Sequence, residues 1–420
     1  MRGSTAVAAL LAAAIASAAP ALAADPPTLL ISDAGAVTSR LPPAGVSAPR
    51  DPERRPDLAR RLRRWQTGGP VYLWNQEAIA ALQNRRQGNL PASRVLATLH
   101  AALYDVAVVA EKARPPGSSY PGTVSAMNVA ALTVLAAMVP QEADRFRALA
   151  AEGDMLHREA ALETEADSAA GKAIGEEVAR AALARARDDG SQRQWTGTVP
   201  TGPGKWTTRD GPPIGPGVAA WRTWTLPSAD AIRPAAPPEF GSPQFQVALK
   251  EVQDYARTPA AVDNAIYWAA YGGLRNYVMF HRDLAARALE HGFAQDNLRI
   301  AAAYAALSLA YADAHIACWD AKYHWWYIRP SQADPSIPMV VPNVAHPSYP
   351  SAHACLTAAG AGVLSALFPD EKRQFEEALK KSGEGRISAG LHYRFDVEAG
   401  EQIGRRAAEM TMERLAPALR

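Results

Sequence analysis

Between Trp319 and Asp396 the sequence carries three fixed cations, two motif histidines and a hydroxyl in three short clusters. The first is Lys322 with Arg329. The second is Pro350-Ser351-Ala352-His353. The third is Arg386, His392 and Asp396. Together they suit a tetrahedral oxyanion. Three cations neutralise a trianion, one imidazole can bond the central atom, and the other can move a proton.

Spacing gives each cluster its geometry. Lys322 and Arg329 stand seven residues apart on, or at the end of, a predicted helix. Seven residues turn about 700° and rise about 10.5 Å, so both side chains leave one face. Arg offers a planar fork and Lys a point charge. Trp319, Trp325, Trp326 and Tyr327 surround the pair. In the second cluster, Ser351 is placed to cap the helix that follows Pro350. The free N–H groups and dipole of that helix start make an anion site, with His353 in the first turn. In the third, a Gly-bearing loop separates Arg386 from His392. Asp396 follows His392 by four residues, so a helix starting there brings carboxylate to imidazole. Such a carboxylate fixes the tautomer and raises the basicity of the other ring nitrogen. Each cluster alone has an ordinary reading: a chance basic pair, a capped helix with a surface histidine, a capping Asp beside an incidental His. Together they are much more specific.

The elements that must position these residues read as helices. Helical periodicity predicts segments at 58–65, 71–87, 92–110, 128–138, 141–162, 166–187, 244–255, 260–270 and 276–291. A long apolar helix over 298–327 is stopped by Arg329-Pro330. Ser331 to Tyr349 is a Pro-rich loop, and helices follow at 351–368, 370–381 and 395–415. Strand signals are nearly absent, which favours an all-α fold of two packed helical bundles, with the oxyanion site in the C-terminal one. The expected divisions are a signal peptide at 1–23, an N-terminal arm at 24–68, a helical bundle at 69–189, a Pro/Gly-rich crossover at 190–243 and a second bundle at 244–420. The crossover holds Trp195, Trp206, Trp221 and Trp224 and reads as an irregular, ordered connection without a chemical role. No internal repeat stands out.

The chain has 420 residues, 48% hydrophobic and 20% charged, with formal net charge +2. That is ordinary globular composition with no general case for nucleic-acid binding. Arg2, the apolar run Ala6–Ala19 and Ala21-Leu22-Ala23 form an export signal with a cleavage site, which predicts a periplasmic or secreted protein. No membrane span is expected in the mature chain. Cys318 and Cys355 either pair or remain buried thiols. His100, His157, His281, His291 and His315 lie on predicted helices without metal-ligand spacing, and His324 faces away from Lys322.

The motif order resembles the superfamily joining type-2 phosphatidic acid phosphatases, bacterial acid phosphatases and vanadium-dependent haloperoxidases. The resemblance rests on Lys322 with Arg329-Pro330, then Pro-Ser-x-His, then Arg386, His392 and Asp396. Ala352 stands where that family carries Gly, and Gly385 where a Ser commonly precedes the Arg. Trp319, His346 and His392-Tyr393-Arg394-Phe395-Asp396 resemble the haloperoxidase-like branch. His346 stands where fungal chloroperoxidases carry Phe and algal bromoperoxidases His.

The resemblance implies an all-α, two-bundle enzyme. Lys322, Arg329 and Arg386 would bind the oxyanion, aided by Ser351 and the backbone of Ala352. His353 would be the acid–base group. His392 would bond vanadium or attack phosphorus, oriented by Asp396. Trp319 and His346 would shape the pocket of the halide or second substrate. Two activities follow: a haloperoxidase with a vanadate cofactor, acting on peroxide and halide, or an exported phosphomonoesterase working through phospho-His392. A degenerate oxyanion-binding or structural protein is the third reading, motivated by Ala352.

Overall fold

The computed structural model describes residues 25–44 and 56–420. The signal segment and part of the arm lie outside the described residues. The described chain is all-α: fifteen α-helices, a few 3₁₀ turns, and one isolated β-bridge between Lys205 and Tyr327. The N-terminal helices are α1 (Ala34–Thr38), α2 (Pro56–Gln66), α3 (Gly69–Asn84), α4 (Asn89–Ala113), α5 (Thr123–Met138), α6 (Ala143–Glu159) and α7 (Glu165–Arg187). After an irregular crossover come α8 (Pro243–Asp254), α9 (Pro259–Ala270), α10 (Leu274–Glu290), α11 (Asn297–Trp325), α12 (Pro330–Ala333), α13 (Ala352–Leu367), α14 (Lys372–Ser388) and α15 (Arg394–Leu419).

Three local expectations need correction. Helix α11 stops at Trp325, because Trp326 turns left-handed (φ 51°, ψ 41°) and its N–H closes back on Lys322. Arg329 is therefore not on the helix that carries Lys322. It sits on an extended stretch held by the crossover: Trp206 N donates to Trp326 O (2.8 Å) and Ile328 N to Gly204 O (2.9 Å). Arg386 is not in a loop; α14 runs on to Ser388 and carries it in its last turn. Ser351 holds the N-cap position of α13, but its side chain makes no capping bond.

Helices α4 and α11 are long and apolar enough to cross a bilayer, yet both lie inside the protein. They pack on each other at its centre, and α5 and α7 lie against α4 as α13 and α15 lie against α11. One continuous apolar core runs from Ile31 to Leu419 through both groups.

The chain also contains an internal repeat that was not visible in the sequence. A constant shift of 229 positions carries Thr123 onto Ala352, Ala143 onto Lys372 and Glu165 onto Arg394, the first residues of α5, α6, α7 and of α13, α14, α15. A shift of 208 carries Asn89 onto Asn297, the first residues of α4 and α11. Equivalent positions keep equivalent contacts. Asp105 of α4 accepts from Leu29 N (2.7 Å), Leu30 N (2.8 Å) and Ile31 N (3.1 Å). Asp313 of α11 accepts from Trp224 N (2.7 Å), Thr225 N (2.7 Å) and Leu226 N (3.1 Å). Each buried carboxylate thus anchors one irregular segment to one central helix. A Cβ on Gly171 or Gly175 of α7 would meet backbone oxygens of Gly122 and Ala126 at 2.1 and 2.4 Å. On Gly400 or Gly404 of α15 it would meet those of Ser351 and Cys355 at 2.5 and 2.1 Å. Only glycine permits this close helix approach in both halves.

Candidate active site

Close packing of α15 on α13 sets the floor of the site. Ser351 N donates to Asp396 O (2.7 Å), which ties the start of α13 to the first turn of α15. The Asp396 Oδ2 atom accepts from Tyr393 N (3.0 Å) and from Ser348 Oγ (2.5 Å), and meets His392 Nδ1 at 3.0 Å. A carboxylate at that distance takes a proton on Nδ1, which leaves the lone pair on Nε2, at the opposite edge of the ring. His392 lines a cavity of about 550 Å³, and Arg329 Nη1 stands 3.5 Å from its Nε2.

Electrostatics favour the neutral imidazole. Burial, then Arg329 and Lys322, hold His392 well below the usual histidine range. Burial and Arg386 do the same for His353, and burial with Lys322 and Arg329 for His346. Burial pushes the Asp396 carboxyl up to about 7, against the Ser348 hydrogen bond and the Lys322 charge. Neutral imidazoles next to fixed cations leave a site that attracts an anion and offers it nitrogen lone pairs.

The sequence-predicted residues come together, in different roles. Trp319, His346, Ala352, His353, Arg386 and His392 all line the cavity. The Trp319 and His346 rings lie 5.4 Å apart on one wall, and Trp319 Nε1 donates to Ile214 O of the crossover (3.0 Å). His353 Nε2 lies 3.1 Å from Trp268 O, and a Cβ on Gly272 would come 3.0 Å from that nitrogen. Arg386 donates through Nη2 to Ala265 O (2.9 Å), while its buried Nε has no partner. The buried Ser351 Oγ is also unpartnered. Arg329 donates to His346 O (3.0 Å) and Leu391 O (2.9 Å) and stands 3.1 Å from His346 Nδ1.

Lys322 departs from expectation. Its ammonium donates to Pro347 O (2.8 Å), Ser348 O (2.9 Å) and Pro350 O. Those three bonds use all three donors, so Lys322 clamps the 347–350 loop and reaches the cavity through its charge alone. Burial pulls its pKa down to about 8. Ser348 was missed by sequence reasoning, although its hydroxyl stands two residues before Pro350, just ahead of the second motif. Ile214, Tyr271 and Asn276 of the cavity wall carry no local signal that could have marked them. Cys318 and Cys355 are buried free thiols.

The residues present suit a tetrahedral oxyanion. Ser351 Oγ and Arg386 Nε are unsatisfied buried donors, and such groups cost about 1–3 kcal/mol each unless something accepts from them. The first intrahelical bond of α13 reaches Ser351 O from Cys355 N (3.0 Å), so the helix uses none of the N–H groups of Ala352, His353 and Ala354. Ala352 keeps its N–H, and its methyl group fits at the cavity wall.

Comparison with solved structures bears on the fold. The described helices superpose on a bacterial vanadium-dependent iodoperoxidase with TM-score 0.65 and 21% identity, over 90% of this chain and 98% of that one. The fold is that of the vanadium-dependent peroxidases. A bacterial vanadium-dependent chloroperoxidase in its apo form matches with TM-score 0.61 and 14% identity, over 77% of this chain and 93% of that one. A holo form matches with TM-score 0.58 and 16% identity, over 78% and 91%. No family model matches the sequence. No curated protein sequence matches it either. The vanadium-dependent peroxidase fold therefore rests on tertiary structure, and the motifs read from the sequence fall at its candidate site.

Proposed function

We propose that the C-terminal site binds vanadate and uses hydrogen peroxide to oxidise a halide to the hypohalous acid. The observation that carries this is His392: neutral, fixed through Nδ1 to Asp396, and presenting Nε2 to a cavity whose neighbouring donors, Ser351 Oγ and Arg386 Nε, are unpartnered. Vanadate, when bound, supplies a Lewis-acidic centre that activates peroxide towards a halide. His392 Nε2 would hold the central atom. Arg329, Arg386, Ser351 Oγ and the first N–H groups of α13 would hold the oxygens. Lys322 would add charge at one remove while fixing the loop that carries Ser348. His353, kept neutral by burial beside Arg386, is set to take a proton from an incoming peroxide. Trp319 and His346 form the wall on which a halide would be received.

The alternative is a phosphomonoesterase, favoured by the same Nε2 lone pair, which suits attack on phosphorus. The two part company in one assay. Protein loaded with vanadate and supplied with peroxide and iodide, bromide or chloride is expected to halogenate a phenolic dye, and His392→Ala to lose this. An inactive vanadate-loaded wild type that instead turns over an aryl phosphate, with vanadate as inhibitor, would overturn the peroxidase reading. The export signal at 1–23, outside the described residues, supports placing either reaction in the periplasm or the medium.

A further inference from the structure

The N-terminal half contains the counterpart of the site, and it is not empty. At the position equivalent to the first cavity lies a second, of about 560 Å³, lined by Arg114, Ser119, Thr123, His157 and Glu163 among others. The shift of 229 places Glu163 on His392, His157 on Arg386, Asp167 on Asp396 and Ser119 on Ser348. The shift of 208 places Arg114 on Lys322. The supporting bonds repeat. Asp167 Oδ2 accepts from Ser119 Oγ (2.8 Å) and Thr164 N (2.9 Å), and Asp167 O accepts from Gly122 N (2.8 Å). Arg114 donates to Ser118 O (3.1 Å), as Lys322 donates to the equivalent Pro347 O (2.8 Å).

One feature differs in kind. The start of α5, equivalent to the start of α13, already holds an anion from within the chain. The Glu163 carboxylate accepts from Val124 N (2.9 Å), Ser125 N (3.4 Å) and Ser125 Oγ (2.5 Å). Gly122 stands where the C-terminal half has Ser351, and a Cβ there would lie 2.6 Å from Glu163 Oε2. Gly122 and Glu163 are thus a matched pair, as Ser351 and His392 are. We propose that the N-terminal half is a self-filled copy of the oxyanion site, in which the Glu163 carboxylate takes the place an external oxyanion takes at α13. Removing that carboxylate opens a latent site for a tetrahedral oxyanion such as phosphate or vanadate, held by the α5 N–H groups, Thr123, Arg114 and His157. Only the equation of the two halves rests on the proposed function.

The test is binding stoichiometry of the full chain, titrated with vanadate alone and with inorganic phosphate by calorimetry. Glu163→Ala is expected to bind one more oxyanion per chain than the wild type, and Glu163→Ala with Arg114→Ala to lose that extra one. A folded Glu163→Ala with wild-type stoichiometry overturns the proposal, as does a wild type that binds two. If Glu163→Ala does not fold unaided, phosphate is expected to restore its folding and raise its Tm more than that of the wild type; equal shifts overturn the proposal. A wild type that binds none beside a variant that binds one would sink the proposed function and leave this inference standing.

Discussion

At the scale of single residues, protonation decides what the site can do. The His392 lone pair is usable because burial and nearby cations keep the ring neutral, while Asp396 fixes which nitrogen carries the proton. His353→Ala should keep the fold and anion binding but lower turnover by about 10²–10⁴-fold, the usual contribution of a positioned proton carrier. A variant with undiminished kcat would remove His353 from the chemistry. The charge of the site should also follow pH. As pH rises, Asp396 loses its proton around 7 and Lys322 around 8, so the site becomes less positive at both steps. Sulfate, whose own charge is constant over this window, should bind progressively more weakly from below 7 to above 8. Calorimetric affinities that are flat across that range would contradict this assignment of charges.

At the scale of elements, helix contacts at glycine hold the residues of the candidate site in register. A Cβ on Gly404 would lie 2.1 Å from Cys355 O, and one on Gly400 2.5 Å from Ser351 O. Gly404→Ala must push α15 off α13, and overpacking of this kind costs about 1–3 kcal/mol. Its Tm should fall, and because Ser351 and Asp396 bridge the same two helices, its affinity for sulfate should fall as well. Gly175→Ala, whose Cβ would lie 2.4 Å from Ala126 O in the other half, should lower Tm while leaving sulfate affinity near wild type. Equal loss of sulfate binding in the two variants would contradict this division of labour. The Pro-rich stretch between α11 and α13 matters just as much. The repeat shift grows from 208 to 229 across it, and the added residues carry Arg329 and His346. The N-terminal half has no such stretch between α4 and α5, so it has no counterpart of Arg329 or His346.

At the scale of the molecule, the two halves are not separate folding units. Their apolar side chains form one core, and α4 and α11 meet inside it, with His100 Nδ1 2.7 Å from Ser308 Oγ at equivalent positions. Heat should therefore melt the chain in one calorimetric transition, moved upward as a whole by a bound oxyanion. Two resolved transitions, only one of them shifted, would show that the halves unfold independently.

Helical periodicity and motif spacing are local properties, so the all-α class, most helix positions and the motif residues of the candidate site were legible in the sequence, whereas Ser348, Ile214, Tyr271 and Asn276 were not. Their arrangement depended on contacts between distant segments. A left-handed Trp326 and the crossover backbone put Arg329 in place, not a shared helix face with Lys322. Three loop carbonyls took the Lys322 donors, and no spacing rule counts such acceptors. The repeat escaped the sequence because core positions tolerate almost any apolar residue of suitable size. What persists is a scatter of glycines, carboxylates and serines whose equivalence shows only when their hydrogen bonds are compared. The same holds for Glu163: in the sequence it is one acid among many, and only the fold seats its carboxylate on the start of α5.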